Sequence, residues 1–127
     1  MADRKRILVV DDARLVRTFY RSILEKEGYE IDEALNGLEA LEKLLLGPVD
    51  LLIVDINMPK MDGLTFLRTL RKGEATASSI PALMTSTEAK DSDKDEARAA
   101  GANFYIVKPI KADALVEHVN LLAGRRA

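Results

Sequence analysis

Three carboxylates and a lysine directly follow short apolar segments of this 127-residue chain. Asp11 and Asp12 follow "ILVV", Asp55 follows "LLIV", and Lys108 follows "FYIV". Hydroxyl side chains follow a fourth apolar segment, because "TST" at residues 85–87 comes after "ALM". The chain has no cysteine, and its single histidine, His118, lies in a different part of the sequence. The ligands on offer are therefore oxygens, which favour Mg²⁺ or Mn²⁺ over zinc.

Such side chains can bind a divalent cation and a phosphate group together. Carboxylates held close to one another repel, so that protons or a cation must compensate their charge. Mg²⁺ typically takes one or two carboxylates and uses its remaining positions for water and phosphate. A carboxylate can also act as a nucleophile and become an aspartyl phosphate. Lys108 would then balance charge on the phosphoryl oxygens, and a hydroxyl from residues 85–87 would hydrogen-bond one of them.

The elements that must position these side chains are strands that alternate with helices. Strands are predicted at residues 7–10, 30–34, 51–54, 82–84 and 104–107. Between them lie apolar stripes with helical spacing: Val16, Phe19, Tyr20, Ile23 and Leu24; Leu38, Leu41 and Leu45; Leu64, Leu67 and Leu70; and Leu115, Val119 and Leu122. This alternation predicts βαβ units, and hence a parallel sheet with helices on both faces. Ligands of such sheets bind at the carboxyl ends of the strands, where all the polar residues named above are expected to meet.

One further helix is predicted at residues 89–100, "AKDSDKDEARAA", whose only apolar residues are alanines. Because alanine buries little apolar surface, we expect this helix to be less stable than its neighbours.

Several residues have ordinary structural interpretations when each is considered alone. Asp12 by itself is typical of a helix N-cap. Asp62 and Asn36, each followed by glycine, predict turns that begin helices. His118 is interpreted as a surface residue of the last helix, and Tyr105 as an aromatic residue of an edge strand. The coincidence of three carboxylates, a hydroxyl and a lysine at one sheet edge is not explained in this way.

Composition excludes several classes of function. The formal net charge of −2 predicts no binding to nucleic acid or to an anionic membrane surface. The absence of cysteine excludes disulfides and thiol catalysis, and favours a reducing cytoplasm. The apolar run at residues 7–10 is too short for a secretory signal, and no segment approaches the ~20 apolar residues that a membrane helix needs.

Four motifs, in this order, resemble those of the receiver domain of two-component signalling, and in particular the single-domain chemotaxis response regulators. They are "VVDD" at residues 9–12, "DINMPKMDG" at 55–63, the hydroxyl after "PALMT", and "GANFYIVKP" at 101–109. The resemblance covers roughly residues 5–122. It implies a flavodoxin-like α/β fold, in which a doubly wound five-stranded parallel sheet of order 2-1-3-4-5 is covered by five helices. We expect residues 1–127 to form a single receiver domain, and a free-standing regulator more readily than a piece of a larger protein.

The resemblance also implies the roles of individual residues at the metal and phosphoryl site. Asp55 would accept the phosphoryl group. Asp12 would bind Mg²⁺ directly, Asp11 mainly through water, and Asn57 through its backbone carbonyl. Lys108 would face the phosphate, and the family has a cis peptide at the position of the Lys108–Pro109 bond.

Other implied roles concern signalling and the lifetime of the phosphoryl group. Ser86 would be the switch hydroxyl, and Tyr105 the aromatic residue whose rotamer reports activation. Asn57 and Glu88 would orient the water that hydrolyses the aspartyl phosphate, and this predicts a short lifetime of the phosphorylated form. Thr87 departs from the family, because this position is usually small; its bulk would screen the phosphoryl group.

The expected partners are a sensor histidine kinase as donor and a target such as a flagellar motor component, which would bind the surface of the fourth helix, fifth strand and fifth helix. A histidine phosphotransfer domain in a phosphorelay is the alternative. As a receiver, the chain would catalyse only its own phosphorylation and dephosphorylation.

Three other classes of function fit the sequence less well. An aspartate-nucleophile phosphatase typically carries D-x-D after its first strand, whereas here the third strand carries the site and Asn57 is the second residue after the acceptor. A flavin or nucleotide module would need a glycine-rich or hydroxyl-rich loop where "DDARLV" stands. A degenerate receiver would not need the complete set of acids, hydroxyl and lysine.

Overall fold

The computed structural model describes residues 4–73 and 78–124. Its strands are β1 (Arg6–Val10), β2 (Glu30–Ala34), β3 (Leu51–Asp55), β4 (Ala82–Ser86) and β5 (Phe104–Val107). Five helices lie in the described ranges: α1 (Arg14–Lys26), α2 (Gly37–Leu46), α3 (Gly63–Arg71), α4 (Asp91–Ala100) and α5 (Ala112–Leu122). The strands form one parallel sheet in the order β2-β1-β3-β4-β5, so the predicted fold and strand order are confirmed.

The core lies on both faces of this sheet, because successive residues of a strand point to opposite sides. On one face, Leu52 and Val54 of β3 pack with buried residues of α2, α3 and α4. On the other face, Leu51 and Ile53 pack with buried residues of α1 and α5. All five residues of β3 are buried, which explains the uniformly apolar "LLIV" and leaves Asp55 at the tip of a central, fully covered strand.

The predicted stripe of α2 is wrong. Leu38 and Leu45 are 46% and 86% exposed, whereas Ala40 is fully buried and Leu41 packs against the core. Leucines occur on several sides of this helix, so periodicity alone did not distinguish the buried face from its neighbour. In α1 the predicted stripe wrongly included Phe19, which is 43% exposed, beside the buried Tyr20.

The predicted helix starts are confirmed at two places next to the site. The side chain of Asn36 accepts a hydrogen bond from the backbone N–H of Glu39 at the start of α2, and Asp62 accepts one from Thr65 at the start of α3. Gly63 is required where α3 begins, because a Cβ there would lie 2.3 Å from the backbone oxygen of Asp55. The start of α3 is thus packed directly on the end of β3.

His118 is not the free surface residue that was expected. Its ring is half-buried and packs edge-on against Phe104, with ring centroids 5.2 Å apart, and its Nδ1 lies 2.8 Å from the backbone oxygen of Ala114. Tyr105 lies on β5, which is an edge strand as expected. Among the helices of residues 4–73 and 78–124, none combines the length and the hydrophobicity that a membrane span requires.

Candidate functional site

Three carboxylates converge at the carboxyl ends of β1 and β3. These strands are neighbours in the sheet, so the residues after Val10 lie beside the end of β3. One carboxylate oxygen each of Asp11, Asp12 and Asp55 lies within 4.8 Å of the other two. Asp11 and Asp55 are buried, whereas Asp12 is exposed. This group of oxygens is suited to hold a metal ion, with solvent access through Asp12.

Lys108 extends from the end of β5 to these carboxylates. Its Nζ donates a hydrogen bond of 2.9 Å to Asp11 Oδ2 and lies 3.3 Å from Asp55 Oδ1. The peptide bond between Lys108 and Pro109 is cis, as the family resemblance predicted. The structure thus brings together four of the predicted site residues, from three different strands.

Burial and like charge act on the carboxyl group of Asp55. Burial, together with a smaller contribution from the nearby negative charge of Asp11, raises the pKa of Asp55 from 3.8 to about 6, although Lys108 acts to lower it. Burial by itself would lower the pKa of Lys108, but its hydrogen bond to Asp11 and the charges of Asp11 and Asp55 hold that pKa above its ordinary value. One cation does not fully compensate two buried carboxylates, so the site favours a second positive charge.

The other predicted residues lie around a separate small cavity of about 100 Å³, which is lined by Ser86, Asn57, Glu88 and Tyr105 among others. Ser86 Oγ accepts a hydrogen bond of 3.1 Å from the backbone N–H of Glu88, and the Tyr105 hydroxyl donates one of 2.7 Å to the backbone oxygen of Glu88. The switch hydroxyl and the aromatic residue of the resemblance therefore contact the same residue of the β4–α4 loop.

Asn57 and Thr87 lie just after the ends of the neighbouring strands β3 and β4. The side chain of Asn57 is exposed, while its backbone N–H donates a hydrogen bond to the Asp55 carboxylate. Thr87 is exposed and lines a cavity of about 440 Å³ together with Lys108. Both side chains are therefore exposed at the sheet edge that carries Asp55.

Arg17 is a residue of the site that sequence reasoning missed. It is only 8% exposed, and its guanidinium donates a hydrogen bond of 2.7 Å to the backbone oxygen of Asp11 and one of 2.8 Å to Glu33. Arg21 binds the other oxygen of Glu33 at 2.7 Å. The acidic residues of β2, "EIDEA", were a signal that basic residues of a neighbouring helix would pair with them. Arg17 fixes the backbone of the loop that presents the first two carboxylates.

Comparisons with known proteins agree with this geometry. Residues 7–120 match the family model of the response regulator receiver domain. The chain is 42% identical over 116 residues to the chemotaxis protein CheY of Bacillus subtilis. This alignment covers 91% of this chain and 94% of that protein.

Solved structures agree as well. The chemotaxis protein CheY4 of Vibrio cholerae superposes with a TM-score of 0.89 at 32% identity, over 94% of this chain and 99% of that one. A CheY-like response regulator receiver domain protein of Methanospirillum hungatei superposes with a TM-score of 0.87 at 30% identity, over 96% of this chain and 95% of that one. With its fold, its acidic group and its sequence in agreement, the chain belongs to the response regulator receiver domain family of two-component signalling.

Proposed function

We propose that this chain is a phosphorylatable response regulator in which Asp55 accepts a phosphoryl group from a sensor histidine kinase. The observation that supports this most directly is the position of Asp55. It is buried at the tip of the central strand β3, 3.3 Å from Lys108, and its oxygens approach those of Asp11 and Asp12. A nucleophile for phosphoryl transfer must be held rigidly while its negative charge is offset, and this arrangement does both.

The acidic group fits Mg²⁺, or Mn²⁺ in its place. Its donors are carboxylate oxygens alone, and burial together with Asp11 makes the charge of Asp55 unfavourable without a cation. Asp12 would bind the ion directly, Asp11 mainly through water, and Asn57 through its backbone carbonyl. A bound Mg²⁺ supplies positive charge at the phosphoryl oxygens as negative charge builds up there.

The residues of the chain would then perform one substitution at phosphorus. An oxygen of the Asp55 carboxylate forms the new P–O bond while the P–N bond of the donor phosphohistidine breaks, and the imidazole leaves with the bonding electron pair. Lys108, already within reach of Asp55, shifts to the phosphoryl oxygens and balances their charge. Ser86 rotates to donate its hydroxyl to another of these oxygens, and this movement takes its Oγ away from the backbone N–H of Glu88.

The output would be a change of the surface formed by α4, β5 and α5. Ser86 and Tyr105 both contact Glu88, so movement of Ser86 would disturb the hydrogen bond that holds Tyr105. We propose that the phosphorylated form, as a single receiver domain in the cytoplasm, binds a target protein through this surface. Relatives named as chemotaxis proteins favour a target in that pathway, such as a flagellar motor component.

Labelling of Asp55 tests this proposal. Phosphoramidate with Mg²⁺ should phosphorylate the wild-type protein at Asp55, and EDTA should abolish the reaction because the cation is removed. Asp55→Asn should not be labelled at that position, as peptide mass spectrometry would show. Asp62→Asn is the matched control, since Asp62 is an exposed helix cap where asparagine serves equally well. Labelling of Asp55→Asn at the wild-type level would overturn the proposal.

A further inference from the structure

The hydroxyl of Thr85 is a buried polar group for which the described part of the chain supplies no hydrogen-bond partner of standard geometry. Thr85 is fully buried in β4, and its register partner in β3 is Asp55. The side chains of register partners in a parallel sheet point to the same face. Thr85 therefore lies on the α1 and α5 face of the sheet, next to the acceptor. An unpaired buried hydroxyl destabilises a fold, so its presence at this place calls for a functional explanation.

Tyr20 of α1 brings a second hydroxyl to the same place. The residue is 3% exposed and packs among buried apolar residues that include Val9, Leu24 and Ile53. Its ring fills space that an apolar side chain would fill equally well, so packing alone does not explain a phenol.

The surroundings of the Tyr20 phenol are the groups of the candidate site. Burial is the main cause that raises its pKa to about 12, and smaller contributions come from the nearby Lys108, Asp11, Asp55 and Thr85. Tyr20 and Lys108 also line the same cavity of about 440 Å³. The phenol thus lies near both the hydroxyl of Thr85 and the ammonium group of Lys108.

The ammonium group of Lys108 has more N–H donors than it has contacts with carboxylates. An ammonium group has three N–H donors. Asp11 Oδ2 lies 2.9 Å and Asp55 Oδ1 3.3 Å from Nζ, and within residues 4–73 and 78–124 no third side-chain acceptor is bonded to it. A phenol oxygen can accept one hydrogen bond while its O–H donates another. Tyr20 can therefore satisfy both Lys108 and Thr85 at once.

We propose that Tyr20 is a positioning residue for Lys108, with its O–H donated to Thr85 Oγ1 and its oxygen accepting the third N–H of Lys108. This inference rests on the proposed function. During transfer Lys108 has to exchange a carboxylate oxygen of Asp55 for a phosphoryl oxygen. A neutral acceptor that does not move keeps the ammonium group in place during this exchange, which lowers the cost of organising the site.

Tyr20→Phe tests the role of the phenol oxygen while keeping the ring. The rate constant for labelling by phosphoramidate at saturating Mg²⁺ should fall about ten- to a hundredfold, as expected for the loss of one hydrogen bond to a charged group. The Mg²⁺ affinity should be unchanged, because the ring binds no metal. Tyr29→Phe is the matched control: Tyr29 is a buried tyrosine on the same face, but its hydroxyl binds Asn120 away from the site, so its removal should leave the rate unchanged.

A second comparison separates positioning from a merely structural role. In a Lys108→Ala background, Tyr20→Phe should cause no further loss of rate, because the residue through which it acts is gone. Thr85→Val should lower the rate in wild type, whereas Thr85→Ser, which keeps the hydroxyl, should restore it. The variants Thr85→Val and Thr85→Ser also test the inference if Tyr20→Phe does not fold.

The outcomes distinguish this inference from the proposed function. If wild type is not labelled at Asp55, the proposed function fails and the inference with it. If wild type is labelled and Tyr20→Phe reacts at the same rate, or loses the same factor with and without Lys108, only the role of Tyr20 is overturned.

Discussion

Asp55 occupies surroundings that oppose its own negative charge. The carboxyl is 7% exposed, and burial and the charge of Asp11 raise its pKa to about 6 even though Lys108 lies beside it. The proposed nucleophile is therefore held at the expense of fold stability, as is common at functional sites.

This conflict predicts a pH-dependent stability of the metal-free protein. The pKa of Asp55 is about 3.8 in the unfolded chain and about 6 in the folded one, so its contribution to stability is present below pH 4 and is lost as the pH rises through 6. Asp55→Asn has no carboxyl group to ionise there, so the variant does not lose stability as the pH rises. Lys108 keeps its hydrogen bond to Asp11 in this variant. In EDTA at pH 7.5, the variant should exceed wild type in free energy of unfolding by about 1 to 3 kcal/mol.

Urea unfolding at several pH values measures this difference. The difference in free energy of unfolding between Asp55→Asn and wild type should shrink as the pH falls to 4, because Asp55 of the folded wild type is protonated there. Asp62→Asn, at an exposed cap, serves as the control and should show no such pH dependence. A difference between Asp55→Asn and wild type that is equally large at pH 4 and pH 7.5 would contradict the explanation.

Glu88 and Thr87 are expected to set the lifetime of the phosphoryl group in opposite directions. Both hydrogen bonds of Glu88 use its backbone, so its exposed side chain can be replaced without breaking them. Loss of a water-orienting carboxylate in Glu88→Leu should slow the decay of phosphorylated protein about two- to tenfold. Thr87→Ala should quicken the decay, because it removes bulk beside Lys108.

The measurement is the fraction of phosphorylated protein at intervals after donor removal. Glu117→Leu on the exposed side of α5 is the matched control and should decay like wild type. If Glu88→Leu decays as fast as Glu117→Leu, Glu88 does not orient the attacking water.

At the scale of elements, apolar periodicity was sufficient to locate all five strands and the helices between them. It placed Asp11, Asp55 and Lys108 at one sheet edge, because the carboxyl ends of parallel strands share that edge. It did not identify the buried face of α2, where leucines surround the helix, nor the proximity of Tyr20 to Thr85. Contacts between side chains of different elements depend on packing distances, and the spacing of residues in the sequence does not specify these distances.

The helix α4 is expected to be the least protected helix near the site. Its only buried residues are Ala97 and Ala100, and no side chain caps its start at Lys90. By contrast, α1 buries Tyr20 and Leu24. Since local stability follows apolar burial, amides of α4 should exchange with solvent at least about tenfold faster than those in the middle of α1. Hydrogen exchange measured by NMR tests this, and faster exchange in α1 would refute it.

At the scale of the whole molecule, cation binding should be linked to global stability. The acidic group requires the folded chain, because its carboxylates come from the ends of two strands. An Mg²⁺ concentration ten times the Kd should therefore raise the free energy of unfolding by about 1.4 kcal/mol. Thermal unfolding with increasing Mg²⁺ would measure this effect.

The two acids of the first loop should respond differently in this experiment. Asp12 is exposed, so Asp12→Ala should abolish the Mg²⁺-dependent increase with little loss of stability in EDTA. Asp11 accepts hydrogen bonds from Lys108 and from the backbone N–H of Ala13, so Asp11→Ala should also destabilise the metal-free protein. An undiminished Mg²⁺ effect in Asp12→Ala would show that the ion binds elsewhere.

The two ends of α4 are held very differently. Beyond its carboxyl end, the guanidinium of Arg71 donates hydrogen bonds of 2.8 Å and 3.1 Å to the backbone oxygen of Gly101, and it also binds that of Ile80 at 2.6 Å. Ala97 and Ala100 fix the same end in the core, whereas the amino end lies near the candidate site. The helix therefore resembles a lever pivoted at Gly101, with an arm of about 15 Å. A rotation of about 10° about Gly101 would move the amino end of the helix by about 2.6 Å, so a change at the adjacent candidate site can displace the surface of α4 that a binding partner would contact, while the carboxyl end stays in place.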